Sequence, residues 1–199
     1  LIYSFIYNKK YKQIFKYLIR FILMKSNKIC FLYTHTNGFH ETNEPVSKKN
    51  MFEFSRLIQL KYSIGFYDDE KFNEETKEKY TLTPKSINFN KKAVSIHGIN
   101  FKKAEKKGHD NLYVMNKLRD DLKGVQIIVG HNLHFHIRTI QVELFRTCVN
   151  IDFNNYILID LMDFNRDDNI SLINLAKKFN IDTEKYTDIK LIKKIFLPI

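Results

Sequence analysis

The chain has 199 residues, enough for one ordinary domain with a core of its own. Apolar residues make up 44% and charged residues 28%, which excludes a disordered chain and fits a globular one. With 33 basic against 22 acidic residues the net charge is +11, a surplus that favours polyanionic partners such as nucleic acid or an anionic membrane surface. Residues 1–23 hold five of the basic residues and no acid, so the remainder carries +6. The excess of Lys, Asn, Ile, Phe and Tyr, with no Trp, reads as the bias of an AT-rich genome. Cys30 and Cys148 lack a Cys-x-x-Cys neighbour, which points away from a metal pair or disulfide framework and towards a reducing, cytoplasmic or nuclear location.

Residues 1–23 stand apart. Ile14, Phe15, Leu18, Phe21 and Ile22 recur at helical spacing among Lys12, Lys16 and Arg20, the pattern of a basic amphipathic helix able to lie on a membrane surface. Charges interrupt the apolar run well short of about 18 residues, so no integral span is expected. The preferred reading takes this stretch as an extension or untranslated leader and residues 24–199 as one domain beginning at Met24.

Residues 28–34 predict a buried strand closed by a polar turn at Asn37-Gly38. The alternation from Phe52 to Ile64 predicts a second strand, or a hairpin returning near Gly65. The charge run 68–80 reads as a solvated connection, and Pro84 opens an irregular stretch to His97-Gly98. Leu112, Met115, Leu118 and Leu122 mark a helix over 110–123. The apolar run 125–129 suits a buried parallel strand, followed by a helix over 135–148 and a strand over 156–160. Ser171 begins another helical pattern, and a last helix covers about 187–196. Strands first, then strands alternating with helices, predict an α/β (α+β mixed) fold.

Four segments in order resemble the DEDDh 3′–5′ exonuclease superfamily, the group of polymerase proofreading subunits and RNase T-like enzymes. The family's first strand reads Asp-x-Glu-Thr-Thr-Gly; here Tyr33-Thr34-His35-Thr36-Asn37-Gly38 stands in that frame. Ile96-His97-Gly98-Ile99-Asn100 resembles the family's Ile-His-Gly-Ile-Thr, and His131-Asn132-Leu133-His134-Phe135-His136 its His-Asn-x-x-Phe-Asp. Ser171-Leu172-Ile173-Asn174-Leu175 resembles Ser-Leu-x-x-Leu, with a final helix after it. The resemblance runs from about Lys28 to Phe196 and implies a ribonuclease H-like mixed five-stranded sheet flanked by helices.

It also implies a site that two Mg²⁺ ions would serve, held by four carboxylates with a His as general base. Carried over by position, the first-strand carboxylates become Tyr33 and His35, and the third becomes His136. In the last helix, Tyr186 falls at the general-base position and Leu191 at the fourth carboxylate. None of these is an acid, so the expectation is a degenerate, inactive exonuclease fold with no cofactor. Thr36, Asn37, His131, Asn132 and Lys190 are the expected nucleic-acid contacts. The expected partner is single-stranded DNA or RNA, together with a polymerase or other replication protein. Protonation of His35 and His136 below about pH 6.5 is expected to strengthen binding. Three alternatives remain open. One is an active exonuclease with re-sited Mg²⁺ or Mn²⁺ ligands; Asp160, Asp163, Asp167 and Asp168 cluster after a strand, but they lie beside the family's site and capping and loop solvation explain them better. Another is a structural subunit of a replication or virion assembly that touches no nucleic acid. The third is a zinc centre built from His35, His136, His131 and His134.

Overall fold

A computed structural model describes residues 27–68, 71–84, 88–164 and 170–197. The expectations for residues 1–23, and for Asp167 and Asp168, lie outside the described residues. Five strands form one mixed sheet in the order β3-β2-β1-β4-β5: β1 (Lys28–Thr36), β2 (Leu57–Asp68), β3 (Lys71–Thr81), β4 (Ile127–Gly130) and β5 (Ile157–Asp160). Strand β2 runs antiparallel to both β1 and β3, and β4 and β5 run parallel to β1. Six α-helices accompany them among the described residues: α1 (Lys91–His97), α2 (Phe101–Lys107), α3 (Asn111–Asp121), α4 (Leu133–Thr147), α5 (Leu172–Lys178) and α6 (Asp188–Phe196). This is the α/β architecture predicted.

The two-residue period of β1 divides the core. Cys30 and Leu32 face α3 and α4, where they meet Val114, Leu118, Ile137 and Ile140. Ile29 and Phe31 face α5 and α6, where they meet Leu175, Ile192 and Phe196. The apolar stripe of α6 comes from Leu191, Ile192 and Ile195, all buried. Tyr33 and His35 continue the α6-facing row of β1 beyond the apolar core, and this alternation decides where the site forms.

Three sequence expectations are corrected. Residues 71–81, read as a solvated connection, form the edge strand β3. An edge strand can leave one whole face in water, and charges there also discourage pairing with another chain. Lys71, Glu74, Glu75, Lys77 and Lys79 are exposed, whereas Phe72 packs edge-on against Phe31 at 5.2 Å and Tyr80 is buried. Gly65 is not a hairpin return. It marks a register shift where Ile64 pairs with Thr76 and Gly65 with Glu74, and β2 runs on to Asp68. The stretch before His97-Gly98, read as irregular, contains α1, and α2 follows it. Asn90 caps α1 by accepting the Lys92 N–H at 2.8 Å, and Asn100 caps α2 through the Lys103 N–H at 2.9 Å. Gly98, with φ 67°, ends α1 in the left-handed conformation that glycine adopts without penalty. At seven residues each, these helices are too short to display a helical period.

Candidate functional site

The carboxyl end of β1 faces the amino-terminal ends of α4 and α6, and the side chains predicted from β1 and α4 meet there. The Tyr33 ring lies 5.2 Å from the His35 ring and 4.7 Å from that of His136. His97, the last residue of α1, adds a fourth ring 5.2 Å from His35. Its Nε2–H donates to the Thr36 carbonyl at 3.2 Å, and its Nδ1 accepts the Ile99 N–H at 3.1 Å. Both ring nitrogens are used, and burial and the neighbouring His35 keep its pKa below the ordinary value.

His136 is equally fixed. Its Nδ1 accepts from the Thr34 N–H at 3.3 Å and lies 2.7 Å from the Thr34 hydroxyl; its other nitrogen donates to the His131 carbonyl at 3.0 Å. Burial pushes its pKa down to about 3, so it gains no charge near neutrality. The expected gain in binding through a protonated His136 therefore does not hold. With both nitrogens engaged, it is no metal ligand either. Among the described residues, no three His, Cys, Asp or Glu side chains gather as a metal would require; His131 is buried and His134 is exposed on α4.

The last helix requires a correction of register. Leu191 is 2% exposed and belongs to the core beside Phe31 and Ile192, so it cannot line the site. One turn earlier on the same stripe stands Asp188, and its carboxylate reaches the niche. Asp188 accepts a hydrogen bond from Lys61 Nζ, and its Oδ2 lies 3.8 Å from His35 Nε2. Burial opposes its ionisation, but the hydrogen-bonded Lys61 ammonium helps to outweigh that, and its pKa is held down to about 2. Its φ of 42° is unusual for a residue with a side chain, a strain found where surrounding contacts over-determine the backbone. Tyr33 stays a neutral phenol, its pKa raised to about 12 by burial and by the Asp188 charge. Tyr186 is half-buried against the α6 side of the core, with the ammonium groups of Lys185 and Lys194 each 5.6 Å from its ring. Lys190 is exposed on the first turn of α6; the ammonium that meets Asp188 is that of Lys61.

Lys61 was missed because it stands in an ordinary strand pattern. It pairs across β1–β2 with Tyr33, so the pleat sends both side chains towards α6. Asp188 carried a legible signal: an acid in the first turn of an amphipathic helix, on its apolar stripe.

Of the other expected contacts, Thr36, Asn37 and His131 are taken up by the fold, and Asn132 stays exposed. The Thr36 hydroxyl donates to the Gly38 carbonyl at 2.6 Å. Asn37 donates to the Asn88 carbonyl at 2.9 Å and accepts the Arg56 N–H at 2.7 Å. Asn132 is exposed and takes a left-handed φ of 57° at the start of α4, and His131 is buried beneath it. Asp160, at the end of β5, accepts the N–H groups of Asn132 at 2.8 Å, Leu133 at 2.5 Å and Met162 at 3.0 Å. It caps α4, a helix whose own N-cap residue makes no side-chain bond. A rim of positive charge was also unforeseen. The short helices α1 and α2 carry Lys91, Lys92, Lys102, Lys103, Lys106 and Lys107, all exposed, against one acid, Glu105.

The resemblance to the exonuclease superfamily implies divalent metal at this niche, and the donor set does not fit it. Mg²⁺ takes hard oxygen ligands, mostly anionic. Here the oxygens are a neutral phenol and one carboxylate already paired with an ammonium, and two of the three imidazoles, those of His97 and His136, have no free nitrogen.

No family model matches the sequence, and no curated protein matches it. Among solved structures the chain is similar to exonuclease I. A product-bound form aligns at a TM-score of 0.66 and 18% identity, over 86% of this chain and 42% of that one. An exonuclease I described with SSB, in complex with an inhibitor, gives 0.66 and 18% over 86% and 41%. Escherichia coli exonuclease I bound to a dT13 oligonucleotide gives 0.64 and 19% over 85% and 39%. The chain thus spans well under half the length of these proteins. At such identity the likeness shows the fold alone: a ribonuclease H-like mixed five-stranded sheet flanked by helices.

Proposed function

We propose that this domain is a non-hydrolysing relative of the 3′–5′ exonucleases that holds single-stranded DNA or RNA. The observation that carries this reading is the niche itself: its one ionised carboxylate, Asp188, is matched by Lys61, and Tyr33, His35 and His136 surround them. A phosphodiester placed there meets no group able to activate water with a metal, and no anionic cage to hold one. Binding rests on the lysines of α1 and α2 beside the niche, through phosphate contacts and counterion release. The chain's net charge of +11 and the oligonucleotides held by exonuclease I structures support the same class of ligand. A polymerase or other replication protein as a second partner rests on the resemblance alone. No helix among the described residues is long and apolar enough to cross a membrane. Free Cys30 and Cys148 suit a reducing cytoplasmic or nuclear setting.

The test incubates the purified chain with labelled single-stranded DNA and RNA, with and without Mg²⁺ or Mn²⁺. Expected are intact oligonucleotides and retarded mobility that fades as salt rises. Release of mononucleotides, abolished by Asp188→Asn, would establish the active alternative. Intact oligonucleotides with no binding at low salt would leave the structural-subunit reading.

A further inference from the structure

The arrangement around Lys61 is that of a cation held by ligands. Lys61 Nζ donates to Asp188 and lies 3.1 Å from His35 Nε2. An ammonium has three donors and no acceptor, so the His35 nitrogen must present its lone pair. One carboxylate and one imidazole therefore aim lone pairs at a single positive centre. The Lys61 side chain is only 16% exposed, and Tyr33 stands in cross-strand register with it, which limits the room for its head to swing away. The left-handed backbone of Asp188 carries its carboxylate to that same centre.

We propose that Lys61 is a built-in cation standing where the exonuclease fold would place a metal ion, and that it closes the niche to divalent ions. Without it, the Asp188 carboxylate and His35 Nε2, 3.8 Å apart, would be left to share a proton or another cation. They form the nucleus of a cation site, and water can complete the shell. A carboxylate with an imidazole suits a borderline transition ion such as Co²⁺ better than Mg²⁺. With Lys61 in place, an incoming divalent ion meets a like charge at contact distance. That repulsion exceeds one decade of affinity even in a water-like dielectric.

This inference rests on the metal-free reading of the niche but not on nucleic-acid binding. The test titrates the full chain, Lys61→Gln and Lys61→Gln/Asp188→Asn with Co²⁺, following the visible absorption of the bound ion. Lys61→Gln is expected to bind Co²⁺ at least about tenfold more tightly than the wild type, and the added Asp188→Asn to abolish the gain. A wild type that binds as tightly as Lys61→Gln would overturn the proposal, as would a Lys61→Gln chain with no gain. Should that variant not fold, nitrogen NMR of the wild type decides. His35 Nε2 must be the unprotonated nitrogen at pH 7.5, and a proton on it overturns the proposal. Failure here leaves intact oligonucleotides in the hydrolysis assay unexplained by Lys61 but still intact, so the two readings fail separately.

Discussion

The Thr34 hydroxyl lies 2.7 Å from His136 Nδ1, and the Thr34 backbone N–H donates to the same nitrogen. This contact fixes the tautomer: Nδ1 accepts and Nε2–H donates to the His131 carbonyl. A buried neutral imidazole thus links β1 to α4.

The burial of His136 sets an acid limit on stability. Its native pKa of about 3 lies below the unfolded value near 6.5, so the unfolded chain takes up a proton that the native one refuses. Stability is therefore complete above about pH 6.5 and falls as pH drops towards 3, by about 1 kcal/mol per unit below pH 6. His40, His97 and His131 are shifted in the same direction. Asp188, held down to about 2, adds a further loss as pH falls from about 4 to 2. Urea midpoints measured between pH 7.5 and 5 should fall, and His136→Gln should flatten the slope while lowering stability at pH 7.5. An unchanged slope in that variant would sink this account.

Asp160 gives a prediction that separates capping from catalysis. Its buried carboxylate satisfies three N–H groups at the start of α4 and just after β5. Asp160→Ala leaves them without a partner and should cost about 2–3 kcal/mol in urea unfolding. On the non-hydrolysing reading proposed above, oligonucleotides should stay intact with this variant as with the parent chain. A loss below about 0.5 kcal/mol would show that water replaces the carboxylate and that the cap is minor.

Gly65 is a backbone requirement. A Cβ there would stand 2.1 Å from the Asn73 carbonyl oxygen and 2.8 Å from the Phe72 ring. Since the first obstacle is backbone, Gly65→Ala must shift β3 against β2. A cost of about 2–4 kcal/mol follows, at the upper end for overpacking. Thermal unfolding of this one variant measures it; a change within about 0.5 kcal/mol would mean that the bulge is adaptable.

These residues also show what was legible. The apolar runs around Ile29 and Ile127 and the stripe from Leu191 to Ile195 carry periods that packing enforces, so β1, β4 and α6 could be read directly. The strand β3 could not, because an edge strand is satisfied by charges that equally mark a loop. In the site, the row of Tyr33 and His35 followed from the β1 motif, and His136 from the His-Asn motif. Asp188 was displaced by one helical turn in the reading of α6, since Leu191 and Asp188 share a face and motif spacing alone does not choose between them. Lys61 comes from an adjacent strand with no motif, and only the pairing register with Tyr33 reveals it.

The lysine rim yields the last prediction. Lys102 and Lys106 lie one turn apart on α2, are exposed, and take no part in its cap. If single-stranded nucleic acid crosses this rim, each lysine that meets a phosphate contributes about 0.7 to the slope of log affinity against log salt. Lys102→Ala/Lys106→Ala should therefore weaken binding at low salt and reduce the slope by roughly 0.7 to 1.4, with the melting temperature unchanged. Lys123 supplies the control. It belongs to the turn before β4 and is paired with Asp120 at 3.0 Å, and so lies at the opposite end of the sheet from the niche. Lys123→Ala should leave both affinity and slope as they were. Fluorescence anisotropy of a labelled oligonucleotide at four salt concentrations reads both quantities. Equal losses from the two variants would mean that the chain's net charge, and not this rim, attracts the strand.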